Sequence, residues 1–553
     1  MPKTNWSNNR PSRCLVRCWD TLDCYNETYG ESGTLGCEHR GKIVLKSKLL
    51  PALQSLNPDA PAEALGQAVD ELARDRSAMS MVAANQEVYR LLRDGFLAQV
   101  QTGESGEAED YTIQFIEWDD PGKNDFFLAS QLWITGEVYT RRADLIGFVN
   151  GIPLVFIELK AAHKNFKNAY DDNLTDYKTA IPQLFWYNAF IILSNGSQTR
   201  MGSITSAWEH FAEWKKINDE GETGVVSLET VLRGTCERQR LLDIVENFIL
   251  YQDIQGGTIK VIARYHQYLG VNQSIRAVQN IKDNKGRLGV FWHTQGSGKS
   301  FSMVFFSQKV LRKQPGNWTF VVVTDRLELD GQIYKNFVST GCITEKEARA
   351  ENAGDLQNLL REDHRYVFSL IQKFRVEKGA TYPMLSDRSD VIVVTDEAHR
   401  SQYDVFALNM RNALPNAAFI GFTGTPLMAG EEKPRELSEE EQRGIREGLT
   451  EEELAIFDIL TKPDMTLTRK QEKQVKQAAK GLLETLRREK LGLDWRKRAQ
   501  TRAQVLLAIE DILDRNLPEV YDEKKYQEKC EYVYQHVYDS YRDAHSSIYA
   551  TVV

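Results

Sequence analysis

The sequence predicts a multidomain α/β protein: an α+β domain, then one parallel α/β lobe, then a C-terminal helical domain. Three observations carry that prediction. The chain has 553 residues, more than one hydrophobic core organises, and its 42% apolar and 27% charged residues are an ordinary balance for folded protein. Between residues 256 and 430, short β-branched runs alternate with helical stretches, the pattern of strands buried on both faces of a parallel sheet. After Gly430 the strand runs stop and apolar residues recur at helical spacing.

Composition excludes several classes. Sixty-nine Lys and Arg against seventy-eight Asp and Glu give a net charge of −9, so the chain is no basic nucleic-acid coat. Any nucleic-acid contact must come from local patches. The strongest apolar run, residues 391–395, has the length of a strand, so no membrane span is expected. Residues 1–14 (MPKTNWSNNRPSRC) lack the apolar core of a secretory signal. Seven scattered cysteines, an odd number, point to reduced thiols in a cytoplasmic protein. Cys14, Cys18, Cys24 and Cys37, with His39, lack the tight C-x₂-C pairs of structural zinc.

In chain order, residues 1–40 show no clear period. Residues 41–215 form the α+β domain. Within it, 65–92 read as helical pieces and 111–118 as a strand, and two further strands flank Asn150-Gly151, a strong hairpin signal. Residues 189–194 add another strand. Residues 216–255 read as a linker that opens with a polar run, and 256–430 hold the parallel strands 288–292, 319–324, 391–395 and 418–422. In 431–553, Val475, Ala478, Ala479, Leu482, Leu483 and Leu486 form one apolar stripe. Val505, Ile509, Ile512 and Leu513 form a second, and Cys530, Val533, Val537 and Tyr541 a third.

Residues 293–300 (HTQGSGKS) follow a strand and open a helix. Gly296 and Gly298, around Ser297, let backbone N–H groups curl toward an anion, and the helix start adds partial positive charge. Lys299 suits the β- and γ-phosphates of a nucleotide and Ser300 suits Mg²⁺. His293 stands where the simplest phosphate loop has its first glycine. Residues 391–399 (VIVVTDEAH) end a strand in two carboxylates. Asp396 suits the Mg²⁺ shell, and Glu397 suits polarising the attacking water. Residues 421–426 (GFTGTP) end the next strand with hydroxyls that can couple the nucleotide to a second ligand.

Together these three motifs resemble the superfamily 2 helicases and translocases. The resemblance implies a RecA-like lobe that uses ATP and Mg²⁺, with Gln267 (in YHQY, 265–268) reading adenine. It also implies nucleic-acid contacts from 324–326 (TDR), Gln332 and 369–373 (SLIQK).

A second constellation lies on the hairpin. Glu158 and Lys160 are two apart on a strand and share a face, with Ile157 and Leu159 on the other. Asp144 sits on the opposite arm. A carboxylate pair binds a hard divalent ion, and a neighbouring ammonium can orient water or stabilise a pentavalent phosphate. A two-residue turn with regular pairing would set Asp144 opposite Ile157 and turn Glu158 away. The chemistry therefore requires an odd-numbered connection or a bulge. This D-x₁₃-ExK hairpin resembles the PD-(D/E)xK nucleases, which implies Asp144 and Glu158 as metal ligands and, with Lys160, as catalytic groups. A basic run follows (Lys160, Lys164, Lys167), and Asn173 with Tyr177 stand where related nucleases often have Gln-x-x-x-Tyr. Glu87 is the candidate for an additional N-terminal acidic residue.

Nuclease, motor and helical tail, in that order, resemble the restriction subunit of type I restriction–modification enzymes. Residues 144–151 (DLIGFVNG), 181–185 (IPQLF) and 193–196 (LSNG) are similar to that family. The resemblance implies an endonuclease subunit that cleaves double-stranded DNA after ATP-driven translocation. It also implies a complex with methyltransferase and specificity subunits, the latter choosing the DNA sequence. After Pro426 no second strand series and no QxxGRxxR-like motif occurs, so the second RecA-like lobe is missing from this sequence and a defective motor is expected. Two other readings fit the same residues: a non-enzymatic remnant that binds ATP and DNA, and a repair-type helicase–nuclease.

Overall fold

The computed structural model describes residues 19–30, 33–37, 39–102, 107–161, 166–292, 297–325, 327–343, 349–375, 382–396, 409–423, 449, 451–461, 467–486, 488, 495, 499–518, 520–543 and 546–547. They fall into two units, one within residues 1–291 and 300–423, the other within 292–299 and 424–553. The whole is a mixed α/β protein that includes a parallel sheet.

The first unit opens with β1 (Asp20–Asp23), α1 (Lys46–Leu56), α2 (Ala62–Leu72) and α3 (Met81–Asp94). α2 forms because Ala64, Leu65, Ala68, Val69 and Leu72 recur at helical spacing and are all buried. The Ser80 side chain caps α3 by accepting from the Ala83 N–H, and Gly95, at φ 83°, ends it. A hairpin of β2 (Phe96–Thr102) and β3 (Glu107–Ile113) follows, and then β4 (Phe126–Thr135), β5 (Thr140–Val149) and β6 (Ile152–Leu159). A π-helical turn at Ala169–Leu174 leads into α4 (Thr175–Ala180), then β7 (Phe190–Ser194) and β8 (Thr199–Gly202). The sheet runs β1-β4-β5-β6-β7-β8. Its β1–β4 and β6–β7 pairs are parallel and the rest antiparallel. β1 lies inside the span read from sequence as irregular: all four residues are exposed, and backbone pairing with β4 defines it.

The span expected to be a linker is folded. It carries α5 (Leu228–Thr235) and α6 (Arg238–Asn247) and ends in β9 (Ile249–Ile254), which pairs with β10 (Gly257–Ile262). Leu228, Val231, Leu232, Leu241, Leu242, Ile244 and Val245 are buried. The polar stretch 218–224 hid two amphipathic helices behind it. After α7 (Tyr265–Gln279) come β11 (Arg287–Trp292), α8 (Lys299–Lys313), β12 (Thr319–Thr324) and α9 (Leu327–Ser339). α10 (Ala353–Arg361), β13 (Tyr366–Leu370), β14 (Val391–Asp396) and β15 (Ala418–Thr423) complete the lobe. The sheet order is β11-β15-β14-β12-β13, and β12, β13, β14 and β15 pair in parallel.

Alternate residues of these strands enter two different cores. Val322, Ile392 and Val394 join the larger core of the unit, whereas Val321, Val323, Val391 and Val393 join a separate one. That division shows both sheet faces covered, and it explains why the runs read as continuously apolar. β11 departs from the expectation of a buried strand. It is an edge strand with Val290 60% exposed, anchored where Phe291 stacks on Phe422 at 4.9 Å.

In the second unit, α11 (Glu451–Thr461), α12 (Arg469–Thr485), α13 (Ala499–Asn516) and α14 (Glu523–Ser540) enclose their own core. Val475, Ala479, Leu482, Val505, Ile509, Leu513, Cys530, Val533 and Val537 are buried in it. Thr468 accepts from the Gln471 N–H and Gln471 returns the bond to the Thr468 backbone, fixing the start of α12. None of the five described cysteines is in a disulfide, and no helix among the described residues is long and apolar enough to cross a membrane.

The β5–β6 turn is the most constrained feature of the sheet. Asn150 and Gly151 both have positive φ, 51° and 78°, as a tight two-residue hairpin turn requires. Buried Asn150 donates through Nδ2 to the Phe115 carbonyl (2.9 Å) and to Asn124 Oδ1 (2.8 Å), and accepts from the Asp125 N–H (2.8 Å). A Cβ at residue 151 would collide with the Leu45 carbonyl oxygen. Gly151→Ala is therefore expected to destabilise the fold by roughly 1–3 kcal/mol through left-handed strain and that collision. A denaturant midpoint unchanged from the parent would contradict this.

Candidate functional site

β5 and β6 change register within the hairpin. Val149 pairs with Ile152 and Phe148 with Pro153, but past a break the partners are Gly147–Val155, Ile146–Phe156 and Leu145–Ile157. Leu154 is the surplus residue, a β-bulge in β6. The next step of this shifted ladder sets Asp144 opposite Glu158, and directly opposed residues share a face. The tight turn is kept, and a bulge supplies the odd residue that a shared ion requires.

Asp144 and Glu158 are both buried. Asp144 accepts from the Leu159 N–H through Oδ2 (3.1 Å) and from Gln131 Nε2 through Oδ1 (3.3 Å). Glu158 Oε1 accepts from Asn173 Nδ2 and lies 4.0 Å from Lys160 Nζ, which donates to Asn173 Oδ1 at 2.5 Å. Asn173 thus bridges the carboxylate and the ammonium, although its side chain is one methylene shorter than the glutamine of the nuclease motif that the sequence resembles. The widened π-helical turn of Ala169–Leu174 carries it there. Tyr177, from α4, donates to the Arg142 carbonyl (3.0 Å) and packs edge-on against Phe156. Burial first, and then the Glu158 and Asp144 charges, push the Tyr177 hydroxyl well above its usual pKa, so it stays protonated.

Two buried carboxylates oppose each other across the shifted ladder, and the Lys160 ammonium stands beside Glu158, a grouping of hard oxygen donors and one cation at a single spot. A hard divalent cation fits that grouping, with Asp144 and Glu158 to hold it. Among the described residues no cluster of three or more His, Cys, Asp or Glu gathers as a metal site.

Other predicted residues fall elsewhere. Glu87 is held by Arg74 (2.5 Å) and Arg76 (2.8 Å), the latter fully buried; it anchors this packing and has no place beside Asp144. Lys167 pairs with Asp171 at 3.8 Å, and Lys164 lies outside the described residues. Of the phosphate-loop residues, Ser297, Gly298 (φ 87°), Lys299 and Ser300 are described, and Lys299 and Ser300 open α8. Asp396 is the buried last residue of β14. Gly296, Glu397, Arg326 and residues 424–426 lie outside the described residues. Gln267 occupies the first turn of α7, where its Oε1 accepts from the Arg264 N–H (2.8 Å) and so caps the helix. Gln372 donates to the Asp325 carbonyl (2.7 Å) and Lys373 to the Ala350 carbonyl, so both side chains are engaged within the lobe, while Gln332 is exposed.

Sequence reasoning missed Gln131. It lies in the middle of β4 between the pairs Ser130–Leu145 and Leu132–Ala143, opposite Asp144, with φ at 57°. A non-glycine residue in left-handed conformation inside a strand is strained, and such strain collects at functional positions. No signal in the sequence marks a φ angle, and the Gln131–Asp144 contact exists only through the β4–β5 pairing.

Three family models match the chain. One, described as "Type I restriction enzyme R protein N terminus", covers residues 18–210, and one described as "SWI2/SNF2 ATPase" covers 266–487. The third, "Type I restriction enzyme HindI endonuclease subunit-like, C-terminal", covers 433–542. The type I restriction enzyme HindI endonuclease subunit of Haemophilus influenzae is 37% identical over 412 residues, covering 70% of this chain and 39% of that relative. A putative type I restriction enzyme MjaIXP endonuclease subunit of Methanocaldococcus jannaschii is 32% identical over 417 residues, covering 69% and 39%. The chain spans about two fifths of the length of these relatives.

Gln131→Gly tests the strained contact. It relieves the backbone and removes the amide from Asp144, so stability should hold or rise by up to ~1 kcal/mol while Mn²⁺ affinity falls several-fold. Equal Mn²⁺ titrations for variant and parent would show that the amide does not position the carboxylate.

Proposed function

We propose, on the premise that the chain belongs to the R-subunit family of type I restriction enzymes, that it is a Mg²⁺-dependent DNA endonuclease subunit with an ATP-binding lobe. The observation that carries this is the β6 bulge, which opposes Asp144 and Glu158 with Lys160 beside them. Mg²⁺ bound there supplies positive charge against the phosphate. Asp144 and Glu158 hold the ion. The Lys160 ammonium orients the attacking water or stabilises the pentavalent phosphate, and Asn173 fixes its separation from Glu158. Hydrolysis forms one P–O bond from water and breaks the P–O bond to the leaving strand, whose oxygen takes up a proton. The carboxylate–ammonium pairing on one strand face supports this assignment over a strand with scattered charges.

The ATP assignment rests on Lys299, Ser300 and Asp396 at strand and helix ends, with Ser297 and Gly298 described beside them. Gly296 and Glu397 join them by the same motif, and Gln267 as the adenine reader. The DNA substrate is double-stranded, the partners are methyltransferase and specificity subunits, and the compartment is the cytoplasm. A second reading, a subunit that binds ATP and DNA without pumping, is favoured by one observation. After Pro426 this sequence shows neither a second strand series nor a QxxGRxxR-like motif, the two marks of a second RecA-like lobe. Without arginines from such a lobe, ATP turnover would be slower by roughly 10³–10⁵.

Two measurements test the assignments separately. Lys160→Ala should lower the rate of DNA cleavage by ~10²–10³ and leave nucleotide binding intact. Lys299→Ala should abolish binding of a fluorescent ATP analogue, because the β- and γ-phosphate charge loses its partner. Undiminished cleavage by the first variant would refute the nuclease assignment. DNA-stimulated turnover at translocase rates in the parent chain would refute the motor defect.

A further inference from the structure

We propose that a shelf of guanidinium and aromatic groups beside the Asp144–Glu158 cleft binds the phosphodiester backbone of the DNA, about one nucleotide from the bond that is cut. The inference rests on the nuclease reading above and adds a substrate subsite to it.

Trp133 in β4 and Arg142 in β5 are register partners, so their side chains share a face. Arg142 is two residues from Asp144 on a strand whose pairing with β4 keeps one register on both sides of Asp144, so this is also the face of Asp144 and, across the bulged ladder, of Glu158. The Arg142 guanidinium lies 5.4 Å from the Trp133 ring centroid and 5.3 Å from that of Tyr25. Arg40 approaches the same indole at 5.9 Å and the Tyr29 ring at 5.4 Å. The rings are held in place: the Trp133 indole N–H donates to the Tyr25 carbonyl (3.2 Å), and the Tyr29 hydroxyl donates to the Trp133 carbonyl (2.8 Å).

Charge points to an anion. Two cations share one indole, each within cation–π reach, and like charges so placed repel. Among the described residues neither Arg40 nor Arg142 forms an ion pair, whereas neighbouring Arg141 is bound by Asp176 at 2.5 Å. In a chain of net charge −9, an uncompensated arginine pair next to an acidic cleft is a local exception. A phosphate between or beside the two guanidiniums would cancel the repulsion that the fold imposes.

Geometry points to the DNA backbone in particular. A nuclease cleft lined by carboxylates repels the strand it must hold, so attraction has to come from flanking groups. Two residues along β5 advance roughly 6.8 Å, about one phosphate-to-phosphate step along a nucleic-acid strand. Tyr25, 50% exposed at the rim of the shelf, offers a ring face to a base splayed near the cut. An acidic protein segment would satisfy the arginines too, but it would have no reason to run into the carboxylate cleft.

The test uses the full chain carrying Glu158→Ala, so that substrate survives, with and without Arg40→Ala and Arg142→Ala together. Fluorescence anisotropy of a labelled duplex is recorded over a range of KCl concentrations. The double change should weaken binding and flatten the slope of log affinity against log salt by roughly 2, about 0.9 for each phosphate that is no longer neutralised. Arg142→Lys should restore part of the slope, since it keeps the charge and loses the planar stacking. If the alanine pair lowers the thermal midpoint, the glutamine pair at both positions supplies the measurement. An unchanged slope in a folded variant overturns the inference, as does a parent chain that binds no duplex. Failure of the nuclease reading shows itself separately, as cleavage that survives Glu158→Ala.

Discussion

The arrangement of the N-terminal site depends on one surplus residue in β6. The Asn150-Gly151 turn cannot lengthen, because the Asn150 side chain is locked into the Phe115, Asn124 and Asp125 network and Gly151 lies against the Leu45 carbonyl. With the turn fixed at two residues, regular pairing would put Asp144 and Glu158 on opposite faces. The irregular step is taken inside the strand instead, at Leu154, directly after Pro153. Proline has no N–H to give to a ladder and is tolerated where the ladder is already broken. Across from it, Gly147 leaves room for the Trp19 ring, whose Cζ3 would stand 2.6 Å from an added Cβ. A rigid turn, a proline and a glycine together fix the register, and the register decides which side chains can share an ion.

The same dependence separates what the sequence discloses from what it conceals. Runs such as residues 320–323 and 391–394 are legible because strands covered on both faces are apolar at successive positions; their odd and even residues feed two different cores. The ExK spacing of Glu158 and Lys160 is legible because pleating makes residues two apart neighbours. Pairing between strands is not encoded by local spacing. Gln131 and Trp133 therefore carried no signal, although β4 sets one opposite Asp144 and the other opposite Arg142. β1 is four exposed residues that become a strand only by hydrogen bonding to β4. Helices α5 and α6 were missed for a different reason: each is short, and the polar stretch before them outweighed apolar residues that are buried in the fold.

Asn173 shows why a residue-for-residue comparison with a motif can mislead. From sequence it is a glutamine replaced by a shorter amide. In the structure that amide accepts from Lys160 and donates to Glu158, serving both charges with one short side chain. Asn173 lies in the π-helical turn of Ala169–Leu174, a wider turn than an α-helix makes. Substituting glutamine alone, without tightening that turn, would overfill the space between Lys160 and the helix.

Charge along β5 follows from the same pleat. A step of two residues, from Asp144 to Arg142, replaces an acid by a base on one face, and the cross-strand partners change in parallel from Gln131 to Trp133. The proposed phosphodiester substrate would impose both demands at once. The reacting phosphate needs a cation, which carboxylates must hold, and its neighbours along the strand need cations that the protein supplies directly. An acidic chain can meet these demands by segregating the two signs over a few ångströms, with aromatic rings packed against the guanidiniums. Tyr25, Tyr29 and Trp133 pack against the two arginines and are tied to each other through backbone carbonyls.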